Sequence, residues 1–339
     1  TTGNGQATVN LRNLGSARTL VLVNGRRFVA GIPGTSIVDL NTIPTDLIKR
    51  IDVVTGGASA VYGSEAIAGV VNFIMDDKFE GIRGRAQGTI SSKGDAGRQY
   101  LSLTAGHAFA DDRGHIVVYG QYENDDGLRS KNRSFSQRDI PNRSSFAAQG
   151  LFSIDGSFAP GADTYTFDSS NNLKNYQGAN IDGYNRNGDR YLGVPVERYL
   201  GSLSASFDFS DSVTGYVEGQ YAKTKSNSRL EPLAVGYTDL PDNAGGTYAG
   251  IPITNPFIPT AIRDAMIAAG TTELPFRRRS VDIFDRSNVN DRDTWRVVAG
   301  LRGKIAGKFD WDLYYTHGET KDLTASGTIL GPQYRNALH

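Results

Sequence analysis

Between Tyr199 and Phe209 the chain changes character at every residue. Tyr199, Gly201, Leu203, Ala205, Phe207 and Phe209 fall on one side, and Ser202, Ser204, Ser206 and Asp208 on the other. A side-chain period of two belongs to a strand with one apolar and one wet face. The same pattern sets Trp295, Val297, Ala299, Leu301 and Ile305 against Arg296, Arg302 and Lys304. It also sets Phe309, Trp311, Leu313 and Tyr315 against Asp310, Asp312, Tyr314 and Thr316, and Val213, Val217 and Tyr221 against Thr214, Glu218 and Gln220. Three earlier runs alternate likewise. They carry Ile82, Gly84, Ala86, Gly88 and Ile90; Leu101, Leu103, Ala105 and Phe109; and Ile116, Val118, Gly120 and Tyr122. His107 falls on the apolar side, and the pattern gives no reason for it. Runs of about ten residues, apolar outside and polar inside with aromatics near the ends, are what a membrane-spanning barrel with a wet lumen requires.

Connections between these runs are unequal. Short turns at Asp111 to Gly114, Ser210 to Ser212 and Ala306 to Lys308 alternate with long polar stretches, Asp125 to Pro195 and Ser226 to Asn290. Outer-membrane barrels have this asymmetry, with short periplasmic turns and long extracellular loops. Within the second long stretch, Thr260 to Gly270 reads as a short helix with a glycine stop. No apolar run reaches the roughly 18 residues of a spanning helix. Mean hydropathy is −0.37, which a barrel tolerates because only alternate residues meet lipid. The 36 basic and 36 acidic residues cancel, so the overall field signals no nucleic-acid partner. The absence of cysteine removes disulfides, thiolate metal sites and cysteine nucleophiles.

The first part of the chain has a different grammar. Ala7 to Leu11 and Arg26 to Val29 are expected as short strands, and Thr19 to Val23 as a buried one stopped by the Asn24-Gly25 hairpin signal. Gly31 to Ser36 is a loop, Pro44 to Arg50 a helical turn, and Ile51 to Val54 and Val70 to Ile74 are strands. Between the last two lies a segment rich in Gly, Ala and Ser, from Gly56 to Gly69. Its glycines are expected as packing choices in a tightly wedged unit.

The order of these blocks is specific. Leu11-Arg12-Asn13-Leu14-Gly15, Thr19 to Arg27, Val38-Asp39-Leu40-Asn41, and Arg50 to Asn72 together resemble the plug domain of TonB-dependent outer-membrane receptors. Asn13 departs from the family, which usually has Gly there. The resemblance implies a mainly β protein: a small α+β plug over residues 1–78, then the N-terminal part of a transmembrane antiparallel β-barrel over 79–339, of about seven strands. A barrel wide enough to hold a plug needs about 22 strands, so the chain is expected to be a piece of a larger receptor, truncated at both ends. It further implies an outer-membrane location, with membrane lipid, the energy-transducing TonB complex and a small-molecule ligand as partners. Siderophore-bound iron, cobalamin and oligosaccharide are the family's ligands. Its apical plug loops touch the ligand, and on this chain these are Arg12, Asn13, Leu14, Gly15 and Ser16, then Gly31, Thr35 and Ser36. Arg26 and Arg27 either join them or pair with acids on the barrel's inner wall. The structural motif of the plug falls on Gly56, Gly57, Ser59, Tyr62, Gly63, Gly69 and Asn72, and Asp52 and Glu65 are expected to pair with the barrel.

Nothing in the sequence points to catalysis, a cofactor or a metal. Gly56 to Ala60 lacks the Gly-Lys-Ser/Thr of a phosphate loop, and no Gly-x-Ser-x-Gly elbow is present. His107, His115, His317 and His339 have no ligand spacing. Asp182, Asn185, Asn187 and Asp189 do not follow a calcium-loop order and read as a solvated loop. The competing functional reading is a passive channel or adhesin barrel with the N-terminal unit as a stopper.

Overall fold

The computed structural model describes residues 5–56, 58–242, 246–305 and 308–338. Gly57, His339 and most of the turn expected at Ala306 to Lys308 lie outside these residues. The chain divides into two compact units. One comprises 1–127, 194–227 and 289–324; the other comprises 128–193, 228–288 and 325–339.

In the first unit, four strands form the small sheet: β1 (Thr19–Val23), β2 (Arg26–Arg27), β3 (Ile48–Thr55) and β4 (Gly69–Met75), in the order β2-β1-β4-β3. β1 runs parallel to β4, with Val21 beside Val71, and β3 runs antiparallel to β4, with Val53 beside Val71. β1 is buried along its whole length, which explains why it reads as an unbroken apolar run and not as an alternating one. Its alternate side chains feed two small cores: Val21 and Val23 join Val38, Ile43, Val71 and Phe73, while Leu20 and Leu22 join Ala58, Ala66 and Val70. The strand expected at Ala7 to Leu11 does not form. Ala7 instead spends its N–H on the Asp39 carboxylate and its C=O on the Leu40 N–H. The strand expected at Arg26 to Val29 shrinks to two residues.

The alternating runs assemble into one seven-stranded sheet. Its strands are β5 (Gly81–Thr89), β6 (Arg98–Phe109), β7 (Gly114–Asp125), β8 (Val196–Ser210), β9 (Val213–Arg229), β10 (Ser287–Ile305) and β11 (Phe309–Ser326), each beside its predecessor. Register follows the expected faces: Arg85 pairs with Ser102, Ser102 with Gln121, Glu123 with Arg198, and Ser204 with Glu218. The polar residues therefore line one side of the wall. His107 stays on the other side, opposite Ile116.

The second unit corrects the expectation of long polar loops. Its segments fold into a five-stranded sheet of short strands that includes Leu151–Ser153, Gly161–Phe167 and Phe276–Arg279. The sheet packs against the helix Thr260–Ala269, which ends at Gly270 in the left-handed conformation (φ 68°). Ile154, Val235, Leu240, Ile258, Ile262, Met266, Leu274 and Phe276 form its core. These apolar residues arrive singly from distant segments, so no local period announces them. Asp182, Asn185 and Asp189 serve the unit internally: Asp182 pairs with Lys174, Asn185 accepts from the Asp139 N–H, and Asp189 accepts from the Tyr184 hydroxyl.

Candidate ligand-facing loops and the plug–wall contacts

The two loops implied as apical are small hydrogen-bonded turns. In the first, Arg12 and Asn13 both have φ of 56°, a conformation asparagine tolerates better than most residues. The Leu14 N–H closes on the Leu11 carbonyl at 3.2 Å, and the Gly15 N–H on the Asn10 side chain at 2.8 Å. Arg12, Asn13 and Leu14 are exposed, and Gly15 and Ser16 are half-buried. In the second loop, the Gly31 N–H donates to the Ile37 carbonyl, and Thr35 donates from both backbone and hydroxyl to the Ile32 carbonyl. Gly31 is buried against Asp39, where a Cβ would lie 2.6 Å from the Asp39 Cβ. Pro33 to Ser36 are exposed. One stretch touches both loops: Gln6 donates to the Gly31 carbonyl at 2.9 Å, and Ser16 donates to Thr8 at 3.0 Å.

Arg26 and Arg27 separate. Arg26 is 5% exposed and takes the wall alternative, pairing with Glu218 on β9 while its guanidinium stacks on Tyr216 and Tyr314. Asp312 stands 3.7 Å away. Arg27 points to the plug itself, where it pairs with Glu65 and donates to the Tyr62 carbonyl at 2.7 Å. Glu65 and Asp52 were expected to pair with the barrel, and among the described residues neither does so. Glu65 is held by Arg27, and Asp52 by Arg50, two residues along the same strand. Both acids lie on local turns or edges with a cation already within reach.

The acids that reach the wall are ones the sequence reading passed over. Asp46 lies in the segment expected only as a helical turn. It accepts from the Tyr100 hydroxyl at 2.8 Å, from Ser102, and from Arg85 at 3.1 Å. Burial pushes its carboxyl up, but the hydrogen bonds from Ser102, Tyr100 and Arg85 outweigh that and hold it below the ordinary 3.8. Asp39 is 1% exposed and faces Arg292 of β10 at 3.6 Å. There burial dominates and raises the carboxyl above its ordinary value, against the pull of the Ala7 and Asn41 N–H groups and of Arg198 and Arg292. A charged residue within an apolar block was the available signal for Asp39. Further ties run from Gln220 to the Thr42 carbonyl and from Thr320 to the Ala30 carbonyl at 2.7 Å. An apolar seat of Leu47 on Val117, Tyr119, Leu200 and Ala222 completes the contact.

The motif glycines are explained by backbone conformation, not by wedging against the wall. Gly56, Gly63 and Gly69 have φ of 85°, 88° and 140°. Among the described motif glycines only Gly69 is crowded, and by the plug itself: a Cβ would meet the Val54 carbonyl at 2.4 Å and Leu11 at 2.9 Å. Ser59 and Tyr62 begin and end a one-turn helix. Asn72 accepts from the Gly25 N–H at 2.9 Å, pinning the hairpin.

A small α+β unit seated on the polar face of an antiparallel wall defines a plugged β-barrel, here with seven strands of wall. The family model for the TonB-dependent receptor plug domain matches residues 1–70. Residues 1–70 are thus a TonB-dependent receptor plug domain, and the chain comprises that plug with part of a β-barrel. It is 30% identical over 251 residues to the vitamin B12 transporter BtuB of Vibrio cholerae serotype O1, an alignment covering 66% of this chain and 37% of the relative. It thus spans well under half the length of the curated relatives it matches. Similar solved structures include the unliganded ferric citrate transporter FecA (15% identity, 94% of this chain and 42% of that one, TM-score 0.40). Another is the siderophore receptor PirA from Pseudomonas aeruginosa (12% identity, 94% and 44%, TM-score 0.38).

Proposed function

We propose that this chain is the plug and part of the barrel of an outer-membrane importer that captures a scarce small molecule and admits it when the TonB complex works on the plug. The observation that carries the reading is the distribution of the plug's polar groups. Asp39, Asp46 and Arg26 are committed to the wall, whereas Arg12 to Leu14 and Pro33 to Ser36 are left exposed for a ligand. A plug held by hydrogen bonds and ion pairs can be moved without covalent chemistry, its position biased by ligand and by force. The relative's name makes cobalamin the first ligand to try, before ferric siderophores and oligosaccharides. The test is uptake of labelled cobalamin by cells carrying the whole receptor, with and without a protonophore. Energy-coupled import predicts uptake that collapses with the protonophore. Uptake that persists unchanged would favour the passive channel with a stopper and sink this reading.

A further inference from the structure

A line of side chains climbs the polar face of the wall from the plug. The Tyr100 hydroxyl donates to Asp46 at 2.8 Å and lies 3.1 Å from the Tyr119 hydroxyl. Tyr119 donates to the Gln121 Oε1 at 2.8 Å, and the Gln121 amide donates to Glu123 at 3.3 Å. Glu123 also receives Arg198 at 2.7 Å and Arg98. Tyr119 and Glu123 are 2% and 5% exposed, while the Arg98 side chain is 53% exposed and opens the far end to solvent.

The protons do not suffice for this line. Each tyrosine has one hydroxyl hydrogen. Asp46 accepts only, and Gln121 presents its oxygen to Tyr119 because its nitrogen must serve the carboxylate of Glu123. Three contacts therefore compete for two hydrogens: Tyr100 to Asp46, Tyr100 to Tyr119, and Tyr119 to Gln121. In one arrangement Tyr100 serves Asp46 and the two hydroxyl oxygens face each other with no hydrogen between them. In a second, Tyr100 turns to Tyr119 and Asp46 keeps only Ser102 and Arg85, and in a third, Tyr119 turns to Tyr100, Tyr100 serves Asp46 and the Gln121 oxygen goes unserved. Within a buried network such a deficit is expensive.

We propose that the Tyr100–Tyr119 pair is a hydrogen-bond relay through which Glu123 and Asp46 compete, so that donors arriving at Glu123 change how firmly the plug is held at Asp46. If a ligand's N–H or O–H groups replace Gln121 on Glu123, the amide is free to turn and donate to Tyr119. Tyr119 then donates to Tyr100, and Tyr100 to Asp46, with every contact satisfied. Tyr119 is a positioning residue in this scheme. The purpose assigned to it rests on the importer reading, but the scheme's test does not use uptake.

The test is hydrogen–deuterium exchange at Thr42 to Leu47 in the whole receptor, for Tyr119→Phe, Gln121→Leu and the double variant. Gln121→Leu leaves Glu123 with both arginines. Each single change removes a competitor of Asp46, so each should slow exchange there by roughly three- to fivefold, and the double variant no more than either alone. A group that merely holds the wall together would speed exchange when removed. Faster or unchanged exchange in both single variants, or a double effect equal to their product, overturns the relay. Either result leaves the protonophore test of import untouched.

Discussion

Arg26 and Arg27 are adjacent in sequence and opposite in environment, and their energetics should differ accordingly. Removing Arg26 strands Glu218, which is 17% exposed, with Arg296 at 3.6 Å as its remaining cation. Breaking one side of such a buried pair costs about 3–5 kcal/mol. The Arg27–Glu65 pair is exposed at 54% and 34%, and pairs of that kind contribute about 0–1 kcal/mol. Urea unfolding of the plug in the whole receptor should therefore separate Arg26→Ala from Arg27→Ala by at least about 2 kcal/mol. The half-buried Asp46 and the buried Asp39 also differ in sign. Asp46 titrates below its ordinary 3.8, so its contribution to the seated plug is fully present above that value and is lost as the pH falls through the depressed one. Asp39 titrates above the ordinary value, so its protonation favours the seated plug as pH falls through its raised value. Midpoints measured from pH 6 downward should fall steeply only below the ordinary aspartate range, and Asp46→Asn should make that fall shallower. An unchanged acid limb in Asp46→Asn would show that Asp46 is not what holds the plug there.

Among the elements, the wall was the most legible, because a period of two survives whatever lies beyond each face. Leu203 and Ser204 declare their sides without any knowledge of the plug. The plug sheet was legible for a different reason: β1 is apolar throughout and ends at Asn24-Gly25, where Asn24 does adopt a positive φ of 52°. What could not be read were contacts made by single polar groups across long separations. Nothing near Asp46 in sequence hints at Tyr100, and nothing near Asp39 hints at Arg292. Strands of the second unit such as Leu151–Ser153 and Phe276–Arg279 were hidden because three or four residues are too few to show a period. Glycines were seen, but the reason for them was not. Gly69 needs both its φ of 140° and the absence of a Cβ beside Val54, whereas Gly34 needs only its φ of 75°. Gly69→Ala should therefore cost the plug about 3 kcal/mol and Gly34→Ala about 1 kcal/mol. Equal losses in denaturant midpoint would mean that crowding at Val54 relaxes freely.

At the scale of the molecule, the two faces of the wall must meet different surroundings, and this can be tested without knowing the ligand. The polar face receives the plug through Asp46, Asp39 and Arg26. The opposite face presents Leu101, Leu103, Val118, Leu203, Val217, Val297, Leu301 and Leu313, all large, apolar and exposed. A face of that kind belongs in lipid, and the cost of placing a charge there depends on depth. Leu203 sits midway along β8, whereas Phe209 sits one residue from its end at Ser210. A lysine at the bilayer midplane costs about 2–4 kcal/mol, falling to about 0–1 kcal/mol near the interface. In the whole receptor folded into lipid vesicles, Leu203→Lys should therefore lower unfolding stability by at least about 1 kcal/mol more than Phe209→Lys. Equal costs at the two positions, or the larger cost at Phe209, would mean that this face is not immersed with β8 spanning the bilayer from the Ser210 turn upward.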